Sequence, residues 1–420
     1  MDRRSGIRPA SGNGLYRFGA SSKGAWLVSI TLCLGCAGLS QPGTARVHLV
    51  VDVGSSGTSL CLFQVEPQPV CRIAKTPPVC VRAKGGLADL VLGKTAHETA
   101  ALLQDKLADS LDRLGKPDKN GKTDWRKHLH GAAALGTGGF RDPETGEQVQ
   151  RPEWTALWPA LRSLMQQKTQ LSHAVARPLT GQEEGLLAWH GVRVSVNPET
   201  PFATMEVGGA TVQLAVSDTA DEKAVVVAVS DSIGQDRTFE RFARETPRPE
   251  FSACYSPHDR QKQDGHACIE FLYDQVFSTS RVAGLAAVSS PRRVYALGQP
   301  WLGLLRELPT SPPWLAKKNR ELPTQVRLSD LVALADSVCK ESDAQILARA
   351  PHSYEAKRGA GRTCYSVGYH AAYLQAISRV VQDGRVVPGG DEQWARGAAV
   401  SGAFFPQCAA SADHVPPKNP

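Results

Sequence analysis

The sequence predicts an α/β protein of two similar lobes, each a mixed sheet flanked by helices, with an active-site cleft between them. Three observations lead there. The chain is too long for one hydrophobic core, a strand–glycine turn–strand unit occurs twice, and helical sequence follows each copy.

The chain has 420 residues, and single cores stop growing at roughly 250–300 residues, so two lobes are the natural expectation. Its 41% hydrophobic and 21% charged content is that of a folded soluble protein rather than a disordered chain. We expect a leader over residues 1–38, a first lobe over 46–198, a second over 199–385, and a C-terminal helix at 386–408 returning to the first lobe.

The repeated unit is explicit. Val47–Gln64 reads VHLVVDVGSSGTSLCLFQ, a strand-length apolar run to Val51, a glycine-rich turn, and a resumed run at Leu60–Phe63. Ala203–Val216, ATMEVGGATVQLAV, repeats the scheme. An acid, Asp52 or Glu206, ends the first strand of each copy. Helical sequence follows at His97–Leu114 and Asp236–Glu245. Such a duplication places the same loop at the same point of two related lobes.

Chemistry gives those turns a purpose. Glycines let successive backbone N–H groups converge on one concavity, which suits phosphate oxygens without a cationic side chain. The leading acids can hold a hydrated divalent cation that neutralises the phosphates. One such hairpin is more often a plain tight turn; two at equivalent places point to phosphate.

Two further strings lie between them. Ala132–Arg141, AAALGTGGFR, runs from an apolar strand into a glycine turn and an arginine. Gly181–Trp189, GQEEGLLAW, sets Glu183 and Glu184 at a helix N-terminus, where acids also simply suit the helix dipole. Gly93-Lys94-Thr95 mimics the end of a P-loop, but the required glycine five residues before Gly93 is Ala88, so Lys94 reads as a helix-start lysine. His128 and His130 lack a third ligand nearby and read as ordinary histidines.

The N-terminus explains much of the net charge of +7. Residues 1–38 hold Arg3, Arg4, Arg8, Arg17 and Lys23 against Asp2, a net of +4. The remainder is too weakly basic to argue for nucleic acid, and a compact anion suits it as well. The basic segment, the apolar run Ala25–Leu34 and the small residues Gly35–Gly38 have the layout of a secretory signal, and the run is too short to span a membrane. Cys36 sits where a lipoprotein signal carries its modified cysteine, but Cys33 stands where such signals place Leu, which leaves lipidation open. The ten cysteines less Cys33 and Cys36 leave eight, an even number in a chain that reads as exported. Cys71 with Cys80, Cys254 with Cys268, and Cys339 with Cys364 are the local pairs expected. Cys61 and Cys408 then remain, free or as a long-range pair. None of these eight forms a CxxC zinc pattern.

In order, these four strings resemble the apyrase family, the nucleoside triphosphate diphosphohydrolases of the actin-like (ribonuclease H-like) superfold. The matching residues are Asp52–Ser59, Gly136–Arg141, Gly181–Trp189 and Glu206–Gln213. The likeness continues at Ser232-Ile233-Gly234, Tyr295-Ala296-Leu297, Cys364–Tyr369 and Trp394–Ala398. Glu206 departs from the family's Asp and moves the carboxylate outward by one methylene. Thr211 replaces a Ser but keeps the hydroxyl, and Gly298–Trp301 does not follow the family's base-binding pattern.

By that resemblance, Glu184 is the general base that activates the attacking water, Gln213 positions that water and Thr211 supports it. Phosphates are cradled by Gly54, Ser55, Ser56, Gly57 and Thr58 from one lobe and Gly208, Gly209 and Ala210 from the other. Thr137 and Arg141 stabilise the terminal phosphoryl group. Asp52 and Glu206 hold Ca²⁺ or Mg²⁺ through water, and Tyr369 and Trp301 stack on the base. The resemblance implies an exported hydrolase of nucleoside tri- and diphosphates, secreted or periplasmic. We expect a monomer without a nucleic-acid partner, touching a membrane only through a lipid on Cys36. An exopolyphosphatase or guanosine-pentaphosphate phosphatase of the same fold is the nearest alternative; a degenerate nucleotide-binding protein is a second.

Overall fold

The structure is a computed structural model that describes residues 45–54, 57–66, 71–74, 76–84, 86–114, 128–142, 148–149, 151–220, 224–245, 248–256, 259–298, 301, 325–342, 344–346, 360–390 and 393–411. The expected leader, with Cys36, and the serines Ser55 and Ser56 lie outside the described residues.

The first sheet is laid down by β1 (Arg46–Val53), β2 (Gly57–Glu66), β3 (Arg72–Ile73), β4 (Val79–Lys84), β5 (Leu129–Gly136) and β6 (Val175–Pro178). Its order is β3-β2-β1-β5-β6, with β4 also paired to β2. Helices α1 (Leu87–Leu90), α2 (Ala96–Leu114), α3 (Pro152–Thr169) and α4 (Gly181–Val196) accompany it. Thr95 explains the lysine before it: its hydroxyl and backbone N–H both donate to Glu98, closing the first turn of α2, so Gly93–Thr95 is a helix entry.

The second sheet repeats the plan with β7 (Phe202–Val207), β8 (Val212–Ser217), β9 (Val226–Asp231), β10 (Arg292–Leu297), β11 (Val326–Arg327) and β12 (Val381–Gly390), in the order β11-β12-β10-β7-β8-β9. The cores β2-β1-β5-β6 and β8-β7-β10-β12 share one pattern: an antiparallel hairpin, then two parallel neighbours. Around this sheet lie α5 (Gln235–Glu240), α6 (Gly265–Leu272), α7 (Arg281–Val288), α8 (Leu328–Val338) and α9 (Thr363–Ala376). β12 runs to Gly390, so the second sheet continues past residue 385. It is followed by α10 (Gln393–Ala399), which packs on α4, β1 and β2.

Strand alternation sorts the buried residues. Leu49, Val51 and Val53 of β1 pack outward with Leu103, Leu107 and Leu157 of α2 and α3. Met205, Val207, Val212 and Leu214 pack outward against Leu272, Leu331, Tyr365 and Tyr369. The inward faces share a third cluster, in which Val50, Phe63, Leu135, Phe202, Ala215 and Tyr295 meet α4 and α10. Those two helices fill the space between the sheets. Close helix contact is set by glycine: a Cβ on Gly191 would lie 1.7 Å from the Gln393 carbonyl oxygen, and one on Gly397 would lie 2.0 Å from that of Leu187.

Four disulfides are present among the described residues. Cys254–Cys268 and Cys339–Cys364 are the local pairs expected. The expected Cys71–Cys80 pair is corrected: Cys61 bonds Cys80, and Cys71 bonds Cys408. The reason lies in the sheet register, which sets Cys61 of β2 directly opposite Cys80 of β4. Proximity in sequence misled here because β4 folds back on β2 while Cys71 meets the C-terminal segment.

That segment is also held by His48. Its ring stacks on Phe405 with centroids 4.1 Å apart, and its Nδ1 lies 2.5 Å from the Ala399 carbonyl oxygen. Gln407 donates to Nε2 at 2.8 Å. Burial, opposed by the Ala399 hydrogen bond and aided by His130 and Arg46, lowers the pKa of His48 to about 4. His370, inside α9, is likewise lowered to about 4 by burial against its bond to the Ser366 carbonyl. Both fold neutral, while the unfolded chain protonates them near pH 6.5. Their contribution to stability is therefore full above pH 6.5 and is lost as pH falls toward 4. We predict a melting temperature that drops across this window, with His48→Gln reducing the proton uptake on unfolding by close to one. An unchanged pH slope in that variant would refute the assignment.

Candidate active site

The two glycine hairpins close identically. Gly54 N–H donates to the Gly57 carbonyl at 2.9 Å, and Gly208 N–H donates to the Thr211 carbonyl at 2.9 Å. Asp52 pairs with Ser59 across one hairpin, and Glu206 pairs with Gln213 across the other. Their parallel neighbours also correspond, Asp52 to Leu135 and Glu206 to Leu297. Alternation puts both acids on the inward faces. The next residue is glycine in both lobes, Gly136 in the first and Gly298 in the second. After Gly136, Thr137 N–H reaches the Val53 carbonyl at 3.2 Å. Gly298 has φ +102°, and a Cβ there would lie 2.2 Å from the Val207 oxygen.

The second hairpin is oriented by a contact that motif reading misses. N–H groups at the start of α5 donate to its carbonyls: Gly234 to Ala210, Gln235 to Gly208, and Asp236 and Arg237 to Gly209, at 2.9–3.0 Å. In a trans peptide the N–H points opposite to the carbonyl. The N–H groups of Gly209, Ala210 and Thr211 therefore turn away from α5 together, as an anion-binding nest requires. Gly234 permits this approach, since its Cβ would sit 2.3 Å from Ala210 C and Thr211 N. Gly138, from the loop after β5, closes on the same hairpin: a Cβ there would lie 2.7 Å from Thr211 Oγ1.

The two acids that open α4 have different tasks. Glu183 completes a capping box with Thr180 and pairs with Arg177 at 2.7 Å, which is the helix-start role acids commonly fill. Glu184 lies about 100° further round the helix, on the face toward β8 and β9. Gly181 and Gly185 let that face approach: their Cβ atoms would lie 2.3 Å from Ser230 Cβ and 3.2 Å from Ala228 Cβ.

Glu184 is 5% exposed and sits in a polar cluster drawn from both halves. Its Oε2 accepts from Arg141 Nη2 at 2.5 Å and from Gln213 Nε2 at 3.0 Å. Gln213 Nε2 also lies 2.9 Å from Thr211 Oγ1 and 3.4 Å from Ser230 Oγ. Among the described residues, Gln213 Oε1 has no hydrogen-bond partner, so it can accept from a water held at Glu184. Gln213 is anchored from behind: Tyr373 O–H donates to its backbone carbonyl at 2.7 Å. Burial, then Asp231 and Glu206, raises the Tyr373 pKa well above 10 and keeps that donor protonated.

Three expected roles need revision. Arg141 spends its guanidinium on Glu184, on the Leu179 carbonyl at 3.2 Å and on Ser230 Oγ at 3.4 Å. It supports the carboxylate rather than lying open to a phosphoryl group. Tyr369 and Trp301 are fully buried in the second lobe. Tyr369 O–H bonds the Ile233 carbonyl, and Trp301 packs on His370 at 5.1 Å, so neither offers a face to a nucleobase. Both aromatic side chains serve the core. Sequence reasoning also missed Ser230, Tyr373 and the α5 clasp. Ser230 was readable in principle, because alternation along Val226–Asp231 turns it to the face that carries Gln213 in the adjacent strand.

The donor set suits a hard divalent cation. Asp52 and Glu206 offer carboxylate oxygens from equivalent positions, and no group of three or more His, Cys, Asp or Glu able to hold a metal occurs among the described residues. Two carboxylates and few other protein ligands fit an ion such as Mg²⁺, which retains water and binds substrate phosphates.

No protein-family model matches the chain, and no curated protein sequence is significantly similar to it. Solved structures do resemble it. A Ppx/GppA family member from Aquifex aeolicus is similar over 86% of this chain and 98% of its own, with TM-score 0.54 and 15% identity. A nucleoside triphosphate hydrolase from Neospora caninum is similar over 88% and 94%, with TM-score 0.58 and 14% identity. An exopolyphosphatase from Cytophaga hutchinsonii is similar over 82% and 94%, with TM-score 0.50 and 13% identity. The fold is the actin-like one of two related lobes.

Proposed function

We propose that the protein is a metal-assisted phosphoanhydride hydrolase that removes the terminal phosphate from a substrate bearing several phosphates in a row. The observation that carries this reading is the buried Glu184–Gln213–Thr211 cluster beside two identically closed glycine hairpins. Glu184 takes the proton of the attacking water, which Gln213 Oε1 orients. The N–H groups of Gly209, Ala210 and Thr211 and the first hairpin's Gly54–Thr58 hold the phosphates from opposite lobes. Asp52 and Glu206 would hold a divalent cation through water, which would supply charge neutralisation on the phosphates. Positioning and electrostatic stabilisation are what phosphoryl transfer chiefly requires.

Burial of Tyr369 and Trp301 favours recognition through phosphates, which puts inorganic polyphosphate first among substrates, as in the exopolyphosphatase that the fold resembles. Nucleoside tri- and diphosphates form the second reading, favoured by the four apyrase-like strings and by the fold of the Neospora nucleoside triphosphate hydrolase. Four disulfides agree with export through the N-terminal signal, for which we propose a secreted or periplasmic location.

The test is orthophosphate release from polyphosphate, inorganic triphosphate, ATP and ADP with Mg²⁺ or Ca²⁺. The reading expects release that EDTA abolishes, fastest from the inorganic substrates. Tight binding without release would leave only a binding protein.

A further inference from the structure

Sheet register aligns two rows of inward-facing residues that the duplication makes equivalent. In the second lobe the row is Glu206, Gln213 and Ser230; in the first it is Asp52, Ser59 and Arg82. All three members of the second row belong to the polar site or its carboxylate pair. Arg82 therefore stands where Ser230 stands, at the outer end of a site row.

Its side chain confirms that direction. A Cβ on Gly57 would lie 3.2 Å from Arg82 Nε and 3.5 Å from Nη2, so the guanidinium rests against the first phosphate hairpin. Arg82 is exposed and, among the described residues, makes no hydrogen bond or ion pair. Arg141, by contrast, is buried on Glu184. The two arginines divide the work: one supports the base, the other is open to a ligand.

Resting on the hydrolase reading above, we infer that Arg82 binds the phosphates on the leaving-group side of the scissile bond and so selects substrates with several phosphates. A water held by Glu184 and Gln213 lies on the side of the second sheet, because Gly181 and Gly185 pack this face of α4 on β9. In-line displacement then puts the leaving group toward the first lobe, where Asp52, Ser59 and Arg82 line the sheet. An exposed guanidinium offers bidentate donors to phosphate oxygens there.

The test is calorimetric binding, with Mg²⁺ present, of orthophosphate and of the non-hydrolysable methylene analogue of inorganic triphosphate. Wild type, Arg82→Ala and Arg82→Lys are compared as full chains, and thermal unfolding checks that the variants fold. Arg82→Ala should weaken the triphosphate analogue about tenfold and orthophosphate by less than about twofold, with Arg82→Lys between. Unchanged analogue binding, or equal losses for both ligands, overturns the role of Arg82 alone. Failure of the wild type to bind either ligand overturns the hydrolase reading, and this inference with it.

Discussion

Glu184→Gln should lower kcat by about 10²–10⁴-fold, the range expected for loss of a general base, while substrate affinity stays nearly unchanged. Glutamine keeps the shape of the side chain and can still engage Gln213, but it cannot take a proton from water. The split between kcat and affinity is the informative part. A residue that merely braced the helix would lower stability without selectively removing turnover. Near-normal kcat in this variant would show that another group accepts the proton.

Arg141→Ala is expected to cost about 3–5 kcal/mol of stability, as breaking a buried ion pair does. Its guanidinium is almost wholly buried and is the sole cation in salt-bridge contact with the buried Glu184 carboxylate among the described residues. It also links the loop after β5 to Ser230 of the second sheet, so the loss should weaken the join between the lobes. Urea denaturation measures the cost. Adding Glu184→Gln to the Arg141→Ala protein should recover much of it, because the stranded charge is gone. A loss below about 1 kcal/mol, typical of exposed pairs, would contradict a buried pair.

Much of this architecture is legible in the chain because it repeats. Asp52 and Glu206 each end an apolar run before a glycine turn, and the structure places them at matching register positions with matching closing bonds. The position of Glu184 at the start of a helix is legible from Gly181–Trp189. Residue pattern alone does not say which of the two glutamates faces the site, because both suit a helix N-terminus. The apyrase resemblance selects Glu184, and the packing of Gly181 and Gly185 on β9 gives the physical reason.

Other features depend on long-range packing that local sequence does not encode. Cys61 and Cys80 meet because β4 returns onto β2, while Cys71 finds Cys408 across 337 residues. Tyr369 lies in a helix whose face toward the core is indistinguishable from a ligand-facing one by pattern alone, since every residue of Thr363–Leu374 is buried. Arg141 looks like a phosphate ligand in the glycine-rich string that carries it. Its partner Glu184 lies 43 residues away, so their pairing emerges only when the loop after β5 meets α4. Ser230 and Arg82 acquire meaning through strand register, which the hairpins fix and the distant strands inherit.

The central claim is that water activated at Glu184 attacks a terminal phosphoryl group. Hydrolysis of inorganic triphosphate in ¹⁸O-labelled water with Mg²⁺, followed by mass spectrometry of the products, tests it directly. The account predicts a single solvent oxygen in each released orthophosphate, none in the remaining pyrophosphate at early times, and no release in EDTA. Orthophosphate released without solvent label, or no release at all under metal-replete conditions, would contradict it.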